Sequence, residues 1–272
     1  MFRNLYYILI SGRVNTSIVP AIIVFIILFS HNTTFFLSLS YGLIYLLVTM
    51  YGFIINDILD YKKDKLANRN KPISQDKLSK KTALIYLFSI LCIIFVIEYI
   101  LGTQKSLIII SFTILLLTLY SFLSKNIPLF KGVVTGVLTI TPLYYANSIL
   151  ALNYNLWIYG FILFYVFSRE LYLDAQDYNG DKLSKLKTIP YYLGVEKSKI
   201  IGLFLMSCSS ISIIAFGIIS YPFSLLINIV SIFALIIIFL AVYTSFYNEE
   251  KSIFLTKLNM IFLIIPLFGV SI

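Results

Sequence analysis

Apolar residues fill nine long stretches of this chain, near residues 14 to 30, 35 to 55, 82 to 101, 106 to 123, 132 to 149, 155 to 173, 198 to 218, 223 to 243 and 252 to 270. Polar residues gather in the connections between them. A bilayer core of about 30 Å is crossed by roughly 20 apolar residues in a helix, so each stretch is long enough to span, with tilt or end adjustment where it is short. The pattern predicts an all-α integral membrane protein, a bundle of about nine transmembrane helices around a central cavity, built as a single domain over 1–272.

Composition agrees. Of the 272 residues, 60% are hydrophobic and 12% charged, and the mean hydropathy is +0.94, whereas soluble domains carry about 25% charged residues. The net charge of +9 does not point to nucleic acid, because the basic residues are scattered between apolar spans rather than gathered on one soluble face. Short loops rich in Lys and Arg stay on the cytoplasmic side. With the N-terminus cytoplasmic and the C-terminus outside, 20 of the 21 basic residues fall inside and Lys105 alone falls outside. The first apolar stretch reads as a retained helix, not a signal peptide. Cys92 and Cys208 lie in apolar runs, where a free thiol behaves as a small hydrophobe.

The two long connections, 56 to 81 and 174 to 197, both face the cytoplasm in that topology, and seven of the 12 acidic residues lie in two repeated spacings where these connections begin. The first cluster, IINDILDYKKDKLANRNKPIS, contains Asn56, Asp57, Asp60 and Asp64. If the second helix continues through it, these residues share a face about 100° wide. The second, SRELYLDAQDYNGDKLSKLKTIPYYLG, contains Glu170, Asp174, Asp177 and Asp181, which share a face about 60° wide on a continuous helix; Gly180 is a potential break before Asp181. Magnesium takes oxygen ligands, typically one or two carboxylates together with substrate phosphates. Two such faces meeting at one end of a bundle could hold metal ions around a diphosphate. The plain alternative, that these are solvated helix ends, sits poorly with two matched clusters at a membrane boundary, where carboxylates are expensive unless paired or liganded.

The motifs NDILDYKKD (56–64) and DAQDYNGD (174–181) resemble those of the UbiA superfamily of intramembrane prenyltransferases, NDxxDxxxD and DxxDxxGD. Arg13 and Asn15, NRNKPIS at 68–74, YSFLSKNIPLFKG at 120–132 and KTIPYYLG at 187–194 are similar to further family segments, in order along nearly the whole chain. The resemblance implies magnesium held by Asn56, Asp60, Asp64, Asp174, Asp177 and Asp181, with Asp57, Asp60, Asp177 and Tyr120 at the chemistry. It implies a prenyl diphosphate, geranylgeranyl or similar, bound by Arg13, Asn15, Arg69, Lys71, Ser121, Lys125, Lys131 and Arg169. Ionisation would leave an allylic carbocation for an aromatic or lipid acceptor to capture, with Tyr51, Tyr172 and Tyr178 as candidate stabilising faces.

The second motif looks closest to the branches acting on geranylgeranylglyceryl phosphate or homogentisate-like acceptors, although Leu173 stands where the former usually has lysine. A membrane terpene cyclase of the same superfamily is the alternative enzyme. An ion-coupled transporter is the alternative of another class, disfavoured because transporters place ion sites near the bilayer midplane. Gly132 and Gly136 form a GxxxG helix-packing signal, and Pro20, Pro142 and Pro266 are candidate kinks. Glu98 reads as an interfacial residue at the outer end of its span, and His31 as an outer-loop residue.

Overall fold

In a computed structural model of the chain, the described residues of each of the nine apolar stretches, Ser224 apart, lie in an α-helix of 17 to 26 residues. The structure describes residues 2–66, 69–123, 128–151, 156–183, 187–220 and 224–269, and every regular element among them is helical. They form two compact units, Met1–Phe122 with Thr141–Asn153, and Leu123–Ile140 with Tyr154–Ile272.

The first unit holds α1 (Phe2–Ser11), α2 (Val14–Ser30), α3 (Phe35–Leu59), α4 (Tyr61–Leu66), α5 (Lys80–Leu101), α6 (Gln104–Leu123) and the later part of α7 (Pro128–Leu150). Between α1 and α2 the axis bends by 66°, where Gly12 precedes Arg13 in the left-handed region at φ 46°. Ser79 starts α5 by accepting the Thr82 N–H at 3.1 Å, the side-chain cap that an exposed N-terminus needs. Helices α2 and α3 pack closely at Gly42, where a Cβ would stand 3.0 Å from the Ala21 carbonyl oxygen.

The second unit holds the earlier part of α7, α8 (Leu156–Gln176), α9 (Tyr178–Leu183), α10 (Ile189–Leu193), α11 (Val195–Ser220), α12 (Leu225–Thr244) and α13 (Glu249–Gly269). The GxxxG signal does what it predicts. A Cβ on Gly136 would lie 3.0 Å from the Leu163 carbonyl oxygen, and one on Gly132 would lie 2.9 Å from the Phe167 ring, so α7 and α8 meet backbone to backbone. On another side of α8, a Cβ on Gly202 of α11 would lie 3.0 Å from the Tyr172 nitrogen and 3.1 Å from the Ser168 carbonyl oxygen. Helices α2 and α7 run on through Pro20 and Pro142; Pro266 lies in α13.

Among the described residues, six helices are by themselves long and apolar enough to cross a membrane: Phe35–Leu59, Lys80–Leu101, Gln104–Leu123, Lys131–Leu150, Val195–Ile219 and Ile227–Thr244; the bent pair α1–α2 can supply one more. Helices α8 and α13 are also of spanning length, and carry charge toward one end: Arg169, Glu170 and Asp174 in α8, and Glu249, Glu250, Lys251 and Lys257 in α13. Large side chains such as Phe88, Ile100 and Phe239 are about 70% exposed, as lipid-facing positions are.

Candidate active site

Helix α3 is apolar up to Ile55 and then delivers Asn56 and Asp57 at its C-terminal end. The helix does not continue unbroken through the first cluster. It stops at Leu59; Asp60, at φ −86° and ψ 1°, forms a joint, and α4 carries Asp64 onward. The joint keeps its helical phase, because Asp60 N–H donates to Asn56 O at 2.9 Å and Asp64 N–H to Asp60 O at 2.8 Å. Asp57 and Asp64, two turns apart, therefore share a face. Both are buried, at 3% and 1% exposure.

The loop after α4 folds back over this face. Ser74 Oγ donates to Arg69 O at 2.9 Å, and Lys77 and Leu78 N–H groups donate to Pro72 O, while Ile73, Ser74 and Leu78 are buried beneath it. So anchored, the loop sets Lys71 Nζ 2.8 Å from Asp57 Oδ1 and 2.7 Å from Asp64 Oδ2. Arg69 Nε stands 3.6 Å from Asp64 Oδ1, and an Arg13 guanidinium nitrogen 3.8 Å from Asp57 Oδ1. Arg13 also lies over the Phe53 ring, 4.6 Å from its centroid. Three of the basic residues expected at a diphosphate thus converge on two carboxylates. At the loop's edge, Lys65 donates to Asp76 at 2.5 Å and to Tyr61; the Asp76 bond pushes Lys65 up to about 12, and the same bond holds Asp76 below the usual carboxylate range.

In the second unit Glu170 and Asp174 lie on the face of α8 that meets α7, and Lys131 of α7 reaches both, 2.5 Å from Asp174 Oδ1 and 3.3 Å from Glu170 Oε2. Asp174 is buried, at 3% exposure. The helix breaks here too, but at Asp177 rather than at Gly180, which lies inside α9. Asp177 is exposed at that joint, its N–H donating to Leu173 O at 2.9 Å. Asp181 follows on α9; its side chain, and Lys125, lie outside the described residues. Both clusters share the spacing D-x-x-D-x-x-x-D, as Asp57, Asp60, Asp64 and as Asp174, Asp177, Asp181, each jointed at the middle aspartate. Asp57, rather than Asn56, is the counterpart of Asp174.

Other expected residues are placed differently. Arg169 points about 140° away from Asp174 around α8; it acts electrostatically on Tyr165, and its buried Nε has no hydrogen-bond partner among the described residues. Tyr172 is fully buried on that reverse side, its hydroxyl donating to Ser252 Oγ at 2.9 Å, so it packs α8 to α13. Tyr51 is buried, with its hydroxyl 2.9 Å from Thr118 Oγ1, and Tyr178 is half-buried on α9. Ser121 is buried and donates to Leu117 O at 3.0 Å; Tyr120 is half-buried, and Asn15 is exposed in the first turn of α2.

Glu98, near the end of α5, is enclosed by protein. It is 1% exposed; Tyr145 OH donates to its Oε2 at 2.7 Å, and Ser106 Oγ donates to its Oε1. Among the described residues no three His, Cys, Asp or Glu side chains stand close enough to form a metal cluster. What each unit offers is a pair of carboxylates around one cationic centre, which fits an ion that takes one or two carboxylates and completes its shell with phosphate and water.

Long apolar helices with exposed large side chains, ending in jointed acidic clusters, define an integral, multi-pass membrane protein with a polar site at its helix ends. Residues 12–263 match the UbiA prenyltransferase family, and the chain belongs to that family. It is 32% identical over 170 residues to a digeranylgeranylglyceryl phosphate synthase from Thermococcus sibiricus, covering 61% of this chain and 59% of the relative. It is 27% identical over 205 residues to the synthase of the same name from Methanosphaera stadtmanae, 74% of each. Among solved structures the fold resembles a digeranylgeranylglyceryl phosphate synthase (TM-score 0.75, 22% identity, 100% of this chain and 99% of that one). It also resembles a UbiA homologue from Archaeoglobus fulgidus bound to DMAPP and Mg2+ (TM-score 0.71, 15% identity, 97% and 98%).

Proposed function

We propose that the chain, as one prenyltransferase domain, transfers a prenyl group from a prenyl diphosphate to a lipid acceptor, in a magnesium-dependent reaction at the cytoplasmic side of the membrane. The observation that carries this reading is the repeated carboxylate pair: Asp57 with Asp64, and Asp174 with Glu170, each held around one lysine ammonium. Asn56, Asp57, Asp60 and Asp64, together with Asp174, Asp177 and Asp181, would hold magnesium, which when bound supplies Lewis acidity toward the departing diphosphate. Arg13, Arg69, Lys71, Lys125 and Lys131 would neutralise phosphate oxygens as charge builds on them. Arg169, on the other face of α8, is left out of that set.

The donor is an allylic diphosphate of geranylgeranyl or similar length. The shared name of the matched relatives favours geranylgeranylglyceryl phosphate as acceptor over an aromatic one. An apolar, water-poor site suits this chemistry, because the carbocation must meet its acceptor before water. The topology that supports the cytoplasmic placement has nine spans, the N-terminus inside and the C-terminus outside, since it puts both clusters beside the basic loops.

The test is incubation of the purified protein with Mg2+, geranylgeranyl diphosphate and a panel of geranylgeranylglyceryl phosphate, homogentisate and no acceptor. Diphosphate release with a prenylated lipid product is expected; release without any acceptor would indicate cyclisation, and no release would overturn the enzymatic reading. Asp60→Ala and Asp177→Ala should each lower turnover by about a hundredfold or more while the protein still inserts into membranes.

A further inference from the structure

Two buried carboxylates facing one point repel each other, and a cation between them is the arrangement that lets both stay ionised. Here that cation comes from the chain. Lys71 Nζ lies within 2.8 Å of an oxygen of Asp57 and of Asp64, and Lys131 Nζ lies within 3.3 Å of an oxygen of Asp174 and of Glu170. The two lysines reach their sites by unrelated routes. Lys71 comes from the loop seven residues after Asp64, and Lys131 from α7, 43 residues before Asp174. The same charge thus occupies the same kind of place in each unit without being part of the shared spacing.

We infer that Lys71 and Lys131 are built-in counterions, which assemble the carboxylate pairs in the metal-free protein and must leave them when a divalent ion binds. This rests on the reading that Asp57, Asp64 and Asp174 are metal ligands. A magnesium ion bound at about 2.0 to 2.1 Å from the carboxylate oxygens and an ammonium at 2.7 Å from them claim the same space. Arginine forks hold carboxylates rigidly, whereas a lysine ammonium is a compact charge on a flexible stem. Lys71 and Lys131 keep 15% and 29% of their side-chain surface exposed, so both have room to withdraw. Once displaced, each positive charge lies beside the site, ready for a diphosphate oxygen. Metal alone competes with the lysine; metal arriving with a diphosphate gives the lysine a new partner. The device therefore couples metal loading to substrate binding.

The experiment measures Mn2+ binding by electron paramagnetic resonance in the detergent-solubilised full chain, with and without inorganic pyrophosphate, for the wild type, Lys71→Gln and Lys131→Gln. Without pyrophosphate, each variant is expected to bind Mn2+ about tenfold more tightly than the wild type, the effect of removing one competing charge. Each should also melt earlier than the wild type in EDTA and recover on addition of Mg2+. A lysine with a merely structural role would leave metal affinity unchanged or weaken it, so equal or weaker binding in the variants, with the wild type binding Mn2+ normally, overturns the counterion role and leaves the active-site reading intact. If the wild type binds no Mn2+ even with pyrophosphate, the active-site reading itself fails and this inference with it. The two variants test separate units, so one that does not fold leaves the other decisive.

Discussion

Glu98 lies in the last turn of α5 with both carboxyl oxygens engaged, by Ser106 and by Tyr145. Around it the Tyr145 ring packs edge-on against Tyr41 and, tilted, against Tyr45, while Tyr41 OH donates to Leu101 O at 2.5 Å. Neighbouring sequence could not disclose this, because the partners stand eight and 47 positions away and only the packed unit brings them together. Removing the acceptor strands the buried Tyr145 hydroxyl, at a cost of about 2 kcal/mol, and leaves Ser106 Oγ only the Thr103 carbonyl, 2.9 Å away. Glu98→Ala should therefore lower the melting temperature by several degrees. Glu98→Gln should lose less, because a rotated hydroxyl can accept from the new amide. A differential-scanning measurement giving equal melting temperatures for all three proteins would show that the cluster adds nothing to stability. Lys71 was foreseen as a cation near phosphate, but its bridge between Asp57 and Asp64 required the folded loop, which no residue pattern in NRNKPIS prescribes.

Among the elements, the long helices were legible because apolar blocks of spanning length admit few alternatives: an irregular backbone in lipid leaves its hydrogen-bonding groups unsatisfied. The joints were not legible. Asp60 and Asp177 interrupt their helices although neither is glycine or proline, and Gly180, the expected breaker, sits within α9. Aspartate is a weak helix former that competes for backbone groups, and both joints fall where the apolar run that sustains the helix has ended. The GxxxG signal was more informative, because contact needs small residues four apart and both Gly132 and Gly136 press on α8. That contact also sets the distance from Lys131 to Asp174. Gly136→Leu should push the helices apart, costing about 1 to 3 kcal/mol and lowering turnover. Gly160→Ala makes the control, since a Cβ there meets nothing within 4 Å. Wild-type stability and turnover in Gly136→Leu would show that the close approach is not needed.

At the scale of the molecule, charge carries information that the helices do not. Among the described residues six helices pass as membrane spans on length and hydropathy, with one more from the bent pair, and the basic residues fit a nine-span path with one exception. Helices α8 and α13 carry charge at their ends, and in the proposed topology those ends sit at the cytoplasmic boundary where charge is tolerated. The match to the family over 12–263 includes residues of both compact units. The topology is open to direct measurement, because the chain has two cysteines, both exposed and each within an apolar helix, and they can be replaced by alanine. In that background, Lys105→Cys, in the first turn of α6, should react with an impermeant maleimide added to intact cells. Lys77→Cys, in the loop that holds Lys71, and Lys187→Cys, before α10, should react only after the cells are opened. Labelling of Lys77→Cys from outside would put the first carboxylate pair on the other side of the membrane and exclude the proposed cytoplasmic site.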